Sequence, residues 1–240
     1  MANPFGAVVD NYFLDRYSIY ADKKKTQEYR AREALNLIND NGKSTDALTY
    51  VRGLKTAYGK GVTTHITMYN ATGDTLRLVA YREGQGHIGG TPYPLVIGNG
   101  QWVSFLHVKP TSASQGSSGF LVYRAKNASG QDRDWLIGWR VPWKAFGNPK
   151  STVLCDVGRL DSFQKDWNAL FRRLNTSPRQ SRINKDGAII DVDIGSGTSP
   201  FYRAILQTPH SPRPTSDNFI NGAFGLKDLE EKEKDGEQGI

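Results

Sequence analysis

Apolar residues recur along the first part of the chain at the spacing of one helix face. They do so over residues 31–38 and again over residues 47–58. Asn41-Gly42 lies between the two stretches and suits the left-handed backbone on which many helices end. Ser44 or Thr45 is expected to cap the second helix, because a hydroxyl oxygen can accept a hydrogen bond from a free backbone N–H of the first turn. The pattern predicts an N-terminal helical hairpin.

The period of the pattern then changes from helical to strand-like. Val62, Thr64, Ile66 and Met68 alternate with more polar neighbours, as in a half-buried strand. The polar, glycine-containing stretch 70–74 predicts a hairpin to the next strand. Further strands are predicted at 75–81, 94–97, 101–108, 119–125, 135–141, 153–157, 188–194 and 201–207, with one amphipathic helix over 163–174.

This arrangement predicts a mostly β (α+β) protein. The expected architecture is an antiparallel β-sandwich with an N-terminal helical hairpin and one later amphipathic helix. Regular spacing of the strands, with no linker rich in proline, glycine and serine between them, predicts a single domain over residues 1–209. Residues 210–240 are rich in proline and polar residues and end in a dense run of charges, which predicts a flexible tail.

Charge is distributed unevenly along the chain. The formal net charge is +7, but residues 227–240 hold three lysines and six acids, so residues 1–226 carry +10. A basic body favours an anionic partner such as nucleic acid, a phospholipid surface or an acidic glycan. A basic surface that serves only solubility is the alternative. An acidic tail that competes with the partner for the basic body is a further hypothesis.

Several features favour a reducing compartment. Cys155 is the single cysteine, so no intramolecular disulfide can form. The first residues lack the basic and apolar pattern of a signal peptide, and no apolar run reaches the ~18 residues that a membrane span needs. We therefore expect no transmembrane segment and a cytoplasmic or nucleo-cytoplasmic location.

Motifs for catalysis or cofactor binding are weak. Residues 84–89 match GxGxxG, but two prolines at 92 and 94 forbid the helix that a dinucleotide site requires. No histidine pair has metal-ligand spacing, and the serines include no GxSxG elbow. Asp191 and Asp193 could serve glycoside hydrolysis, but the polar face of a strand explains them better. We expect no enzyme activity, no catalytic residues, no metal and no cofactor.

Aromatic and cationic residues give a stronger signal for binding. They lie on the predicted strands 119–125 and 135–141. The second strand is followed by Pro-Trp, and this ending favours a ring at the edge of the sheet. Such rims stack on sugars or lie at lipid interfaces. His87, in the glycine-rich loop, is added as the histidine worth testing. The candidate ligand-binding residues are Tyr123, Arg124, Trp139, Arg140, Pro142, Trp143 and His87.

The segments that carry these residues resemble the plant 23 kDa jasmonate-induced protein family. The matching blocks are 27–36, 69–76, 87–89, 92–94, 99–102, 105–108, 122–124, 134–139 and 142–143. More distantly, the chain resembles the sandwich of fungal fruit-body lectins and actinoporin-type membrane binders. The resemblance implies a stress- and defence-associated plant protein without catalytic residues. In the distant relatives an aromatic rim binds a sugar or lipid head group, which implies that role for Tyr123, Trp139, Pro142 and Trp143.

Three hypotheses follow from these observations. The first is recognition of a glycan or an anionic lipid head group by the aromatic and cationic rim. The second is an RNA- or ribosome-associated regulator of stress translation, driven by the basic body. The third is a hydrolase that uses the two aspartates on the strand near residue 190. The sequence leaves the identity of the ligand and the oligomeric state open.

Overall fold

Two β-sheets packed face to face form the centre of the molecule. The computed structural model describes residues 4–110, 114–143 and 150–209. One sheet has six strands in the order β3-β5-β1-β11-β10-β9, and the other has five in the order β4-β2-β6-β7-β8. The strands are β1 (Thr63–Ala71), β2 (Leu76–Gln85), β3 (His87–Gly89), β4 (Val96–Ile97), β5 (Trp102–Val108), β6 (Ser117–Lys126), β7 (Asp132–Val141), β8 (Thr152–Gly158), β9 (Gln180–Lys185), β10 (Ala188–Ile194) and β11 (Phe201–Gln207).

Strand alternation places large apolar side chains between the sheets. Trp135, Ile137 and Trp139 of β7 and Tyr123 of β6 are completely buried there, as are Ile66 and Met68 of β1. Each such side chain contributes about 1.5–3 kcal/mol of burial free energy, so this layer dominates the stability of the fold. The predicted mostly β sandwich is confirmed. One pair, β1 with β11, is parallel, while the other paired strands of both sheets are antiparallel.

Helices cover the outer faces of both sheets. They are α1 (Asn11–Leu14), α2 (Gln27–Asn36), α3 (Lys43–Tyr58) and α4 (Trp167–Thr176). Apolar residues of α2 and α3 pack on the six-stranded sheet, and α4 packs its buried leucines on the five-stranded sheet. The helical hairpin and the later amphipathic helix are therefore confirmed.

The start of α3 differs from the prediction. Its N-cap residue is Gly42, at φ 70°, and no side chain caps the helix, while Ser44 lies inside the first turn and is buried. Asn41 is also left-handed, at φ 53°, so the Asn-Gly pair turns the chain between the helices. The cap prediction was wrong because the left-handed pair starts the helix at Lys43, two residues earlier than a cap at Ser44 would.

The connection after β1 was also predicted wrongly. Residues 72–75 do not close a hairpin but lead from the six-stranded sheet to the five-stranded one. The Asn70 side chain, completely buried, holds this arch: its Nδ2 donates to the carbonyls of Asp74 and Ile97, both at 2.8 Å, and its Oδ1 accepts from Thr72. Turn composition predicts a reversal of direction but cannot tell which sheet receives the chain.

Two strands were missed. The polar strand β9 shows no apolar alternation, and β3 consists of three residues within the glycine-rich stretch. Gly86, at φ 90°, joins β2 to β3, so a strand and not a helix follows the glycine-rich stretch. The predicted tail, 210–240, lies outside the described residues.

Candidate functional site

Four strands place the candidate site at one end of the sandwich. At this end β2 finishes, β3 begins, β6 begins and β7 finishes. The ladders set Ser118 opposite both Gln85 and Arg140, and Gly116 N donates to Gln85 Oε1 at 3.2 Å. We call this surface the Trp143 rim and define it by Gln85, His87, Gly116, Arg140, Pro142 and Trp143.

Trp143 is the most accessible tryptophan of the five in the chain. Its relative exposure is 41%, whereas Trp102, Trp135 and Trp139 are buried and Trp167 is half-buried. Pro142 is buried beneath the rim, Arg140 is half-buried, and His87 is exposed. The end of β7 thus presents a solvent-exposed aromatic ring three residues after a cationic residue, and both kinds of side chain suit a ligand with a polar head and an apolar body.

A glycine allows the strands of the rim to approach each other. A Cβ at Gly116 would overlap the carbonyl oxygen of Val141 and press on Pro142 and Gln85. Any larger residue would push the start of β6 away from the end of β7. Neither Gly116 nor Gln85 belonged to the predicted site, because a single glycine among many in this sequence gives no signal of close strand approach.

Two of the predicted rim residues lie in the interior instead. Tyr123 is completely buried, and its hydroxyl donates to the carbonyl of Pro94 at 2.8 Å. Trp139 is completely buried as well, with its ring 5.1 Å from that of His107 and 6.2 Å from that of Phe105. The placement of both rings on a surface rim was wrong, because residues 135, 137 and 139 share one face of β7 and that face is the core.

Arg124 is also far from the rim. It lies seven residues along β6 from Ser117, roughly 23 Å by strand rise. Its guanidinium pairs with the buried carboxylate of Asp134 and with Asp161, each at 2.8 Å. The hydrogen bond to Asp134 is the largest influence on its pKa, which is raised above the usual value. The structure therefore places Arg140, Pro142 and Trp143 at the end of β7 and His87 at the start of β3 at the same end of the sandwich, and it leaves Arg124 in a separate ion-pair cluster.

A buried polar layer supports the rim from below. Ser117 Oγ lies 2.7 Å from Thr64 Oγ1 and 2.8 Å from His107 Nδ1, so one hydroxyl joins the two sheets. Gly86 packs against the His107 ring. Desolvation lowers the pKa of His107 to about 3, which keeps the imidazole neutral at physiological pH. Ser117 is completely buried, so this Ser-His contact holds the sheets together and is closed to a substrate.

The residues considered for catalysis have structural partners. Asp191 pairs with Arg182 at 2.8 Å, and Asp193 pairs with Arg203 at 2.8 Å, each across neighbouring strands. Cys155 is buried, and desolvation raises its pKa to about 12, so its thiol is unreactive. Within the described ranges no three His, Cys, Asp or Glu side chains are close enough to hold a metal ion.

The fold places the chain among the two-sheet β-sandwich proteins. More particularly, it belongs to the Nakanori-like protein family, whose pattern it matches over residues 5–209. It is 38% identical over 187 residues to the 23 kDa jasmonate-induced protein of Hordeum vulgare, which covers 77% of this chain and 88% of the relative. The predicted family resemblance is confirmed.

One solved structure agrees with this assignment. The crystal structure of the lipid binding protein Nakanori superposes with a TM-score of 0.76 at 27% identity, covering 85% of this chain and 99% of that one. A lectin of Xerocomus chrysenteron is similar at a TM-score of 0.41 and 12% identity, covering 60% of this chain and 97% of the lectin. In the part of the chain that the structure describes, no helix is long and apolar enough to cross a membrane.

Proposed function

We propose that the protein is a plant stress-associated binding protein that recognises a lipid head group at the Trp143 rim and catalyses no reaction. The observation that carries the proposal is the exposed Trp143 ring, which follows the half-buried Arg140 by three residues where β7 ends. Its family relatives include a jasmonate-induced protein and a lipid binding protein, which supports a lipid over a glycan as ligand.

The rim has the chemistry that a phospholipid head group needs. An indole lies readily at the boundary between head groups and acyl chains, because its ring is apolar and its N–H is polar. The Arg140 guanidinium is always charged and can hold a phosphate by two hydrogen bonds. The buried layer of Thr64, Ser117 and His107 fixes the strands beneath, so little conformational entropy is lost on binding.

Replacing the exposed ring tests the proposal. Trp143→Ala should weaken binding to phospholipid vesicles by at least about tenfold, the loss expected of one aromatic anchor. Vesicle flotation measures this loss. Tyr12→Ala is the matched control, because Tyr12 is 71% exposed on α1, away from the rim. Equal binding by Trp143→Ala and the unaltered protein would contradict the proposal.

The other ligands are separate arms of the same experiment. A glycan array tests sugar recognition. If the rim is a lectin site, Trp143→Ala should reduce every sugar signal. An RNA binding series at rising salt tests the second hypothesis, which the +10 charge of residues 1–226 favours. If the protein binds RNA tightly, if salt weakens that binding and if Trp143→Ala does not, nucleic-acid recognition would replace head-group recognition as the proposed function.

A further inference from the structure

The five-stranded sheet has an open edge beside β2. Its neighbour on that side, β4, has two residues, whereas β2 has ten. The ladder between them pairs Leu76 with Ile97 and Arg77 with Val96, and Leu78 N donates to Leu95 O at 2.9 Å. In the described ranges no strand pairs with β2 on this side beyond Leu78, so most of the strand forms a free edge.

Four large apolar side chains are exposed along this edge. Relative exposures are 38% for Val79, 56% for Tyr81, 68% for Leu95 and 49% for Val96. Together with the exposed Arg77 and Arg82 we call them the open-edge patch. Neither arginine forms an ion pair with any residue of the described ranges. Several exposed apolar side chains along one strand edge, beside arginines that lack an ion pair, mark an interaction surface.

The patch has a rigid base. The Tyr81 ring lies 5.1 Å from that of Tyr93, and Tyr93 is buried with its ring edge-on to Phe105 at 5.3 Å. The Tyr93 hydroxyl donates to Glu83 Oε1 at 3.0 Å, which fixes the orientation of its ring. Tyr81 is therefore held at the surface by packing and does not need to be ordered by a partner.

Two features argue against a second copy of the chain as the partner. A β-bulge between Leu78 and Ala80 interrupts the register of β2, and bulges make an edge a poor template for strand addition. In a symmetric dimer across this edge, Arg77 and Arg82 would face the same arginines of the other copy. The repulsion would oppose association, whereas the same arginines are attracted to a negatively charged surface.

We propose that the open-edge patch docks on an anionic phospholipid surface, with the Val79, Tyr81, Leu95 and Val96 side chains in the interfacial region and Arg77 and Arg82 against lipid phosphates. Aromatic and aliphatic side chains enter this layer, and each nearby arginine adds electrostatic attraction to an anionic leaflet. The inference rests on lipid binding as the proposed function. It adds a second contact surface, because Tyr81 lies four residues from Gln85 of the Trp143 rim along β2, roughly 13 Å.

Vesicle partitioning of paired variants tests the inference. The probes are vesicles of phosphatidylcholine alone and of phosphatidylcholine with about one-third phosphatidylserine. Leu95→Ser with Val96→Ser should lower partitioning into the mixed vesicles by at least about tenfold, since both side chains would lose apolar burial. Arg77→Gln with Arg82→Gln should remove most of the preference for phosphatidylserine. Leu160→Ser is the matched control, because Leu160 is 44% exposed after β8, away from the edge.

The outcomes separate this inference from the proposed function. If Trp143→Ala reduces binding and the Leu95 and Val96 double variant does not, head-group recognition stands and the docking edge is overturned. If the double variant reduces binding and Trp143→Ala does not, the edge stands and the rim is overturned. Ultracentrifugation tests self-association. If the unaltered protein forms a concentration-dependent dimer and the double variant stays monomeric, the patch is a dimer interface and docking on lipid is overturned. Urea unfolding midpoints of the variants should match that of the unaltered protein, because the exchanged side chains are exposed.

Discussion

At the residue scale, two buried histidines have different neighbours, but burial lowers the pKa of both. His65 lies under the helices, with Nδ1 2.9 Å from the carbonyl oxygen of Ser199 and its ring stacked on Phe201. His107 lies between the sheets in contact with Ser117. Desolvation is the main cause in both, and it lowers the pKa of His65 to about 4 and that of His107 to about 3. Each imidazole is thus a neutral hydrogen-bonding group of the folded protein.

These histidines should make the fold sensitive to mild acid. Their pKa values are about 6.5 in the unfolded chain and lower in the folded one, so below pH 6.5 the unfolded chain binds protons that the folded protein excludes. Stability is therefore complete above pH 6.5 and falls between pH 6.5 and about 4, by about 1.4 kcal/mol per pH unit for each histidine. Urea unfolding at a series of pH values measures the slope.

A variant assigns the slope to a residue. His65→Gln can still donate to Ser199 and should reduce proton uptake on unfolding near pH 5.5 by about one proton. Asn39→Ala changes an exposed side chain that carries no proton in this range and should keep the slope of the unaltered protein. A slope that does not change in His65→Gln would assign the acid sensitivity to other groups.

At the element scale, periodicity predicted most strands and helices because burial itself has the period of the element. It failed where the decisive interaction lies elsewhere in the chain. The buried position of Tyr123 depends on a hydrogen bond from its hydroxyl to the carbonyl of Pro94, which lies beyond β2 and far away in the sequence. Within the predicted site, Trp143 and Arg140 were placed at the end of a strand because they lie one residue after and two residues before Pro142. Gln85 and Gly116 were not found, because only the ladders bring them there.

The arch between β1 and β2 provides a test of how one side chain selects a topology. Asn70→Ala should lower the free energy of unfolding by about 3 kcal/mol, because it removes the hydrogen bonds to the carbonyls of Asp74 and Ile97 and takes away the acceptor of the buried Thr72 N–H. Asn39→Ala, an exposed asparagine between α2 and α3, should change it by less than about 0.5 kcal/mol. Urea unfolding measures both. Similar small losses for the two variants would mean that the arch is held by its backbone alone.

At the scale of the whole molecule, the two long sides of the sandwich differ. Along β8 and β9 the sheets meet: Val153 N donates to the carbonyl of Pro178 at 2.9 Å, and Lys185 pairs with Asp156 at 3.1 Å. The opposite side is bordered by the short strands β3 and β4 and carries the open-edge patch. The exposed apolar and cationic residues of the open-edge patch therefore lie around β2, away from the closed side, whereas the Trp143 rim reaches from the end of β2 to the end of β7, next to β8.

The acidic tail should weaken binding of the basic body to an anionic surface. Ending the chain after Gly225 removes three lysines and six acids, so the net charge rises from +7 to +10. If an anionic surface is the partner, the shortened protein should bind mixed phosphatidylserine vesicles about tenfold more tightly at low salt, and the gain should fade as salt screens the charges. A full-length variant with the six acids exchanged for amides should gain as much, which separates charge from the loss of chain. The acids of the tail compete with an anionic partner for the basic body. An unchanged affinity in both proteins would therefore show that the basic body does not contribute to binding.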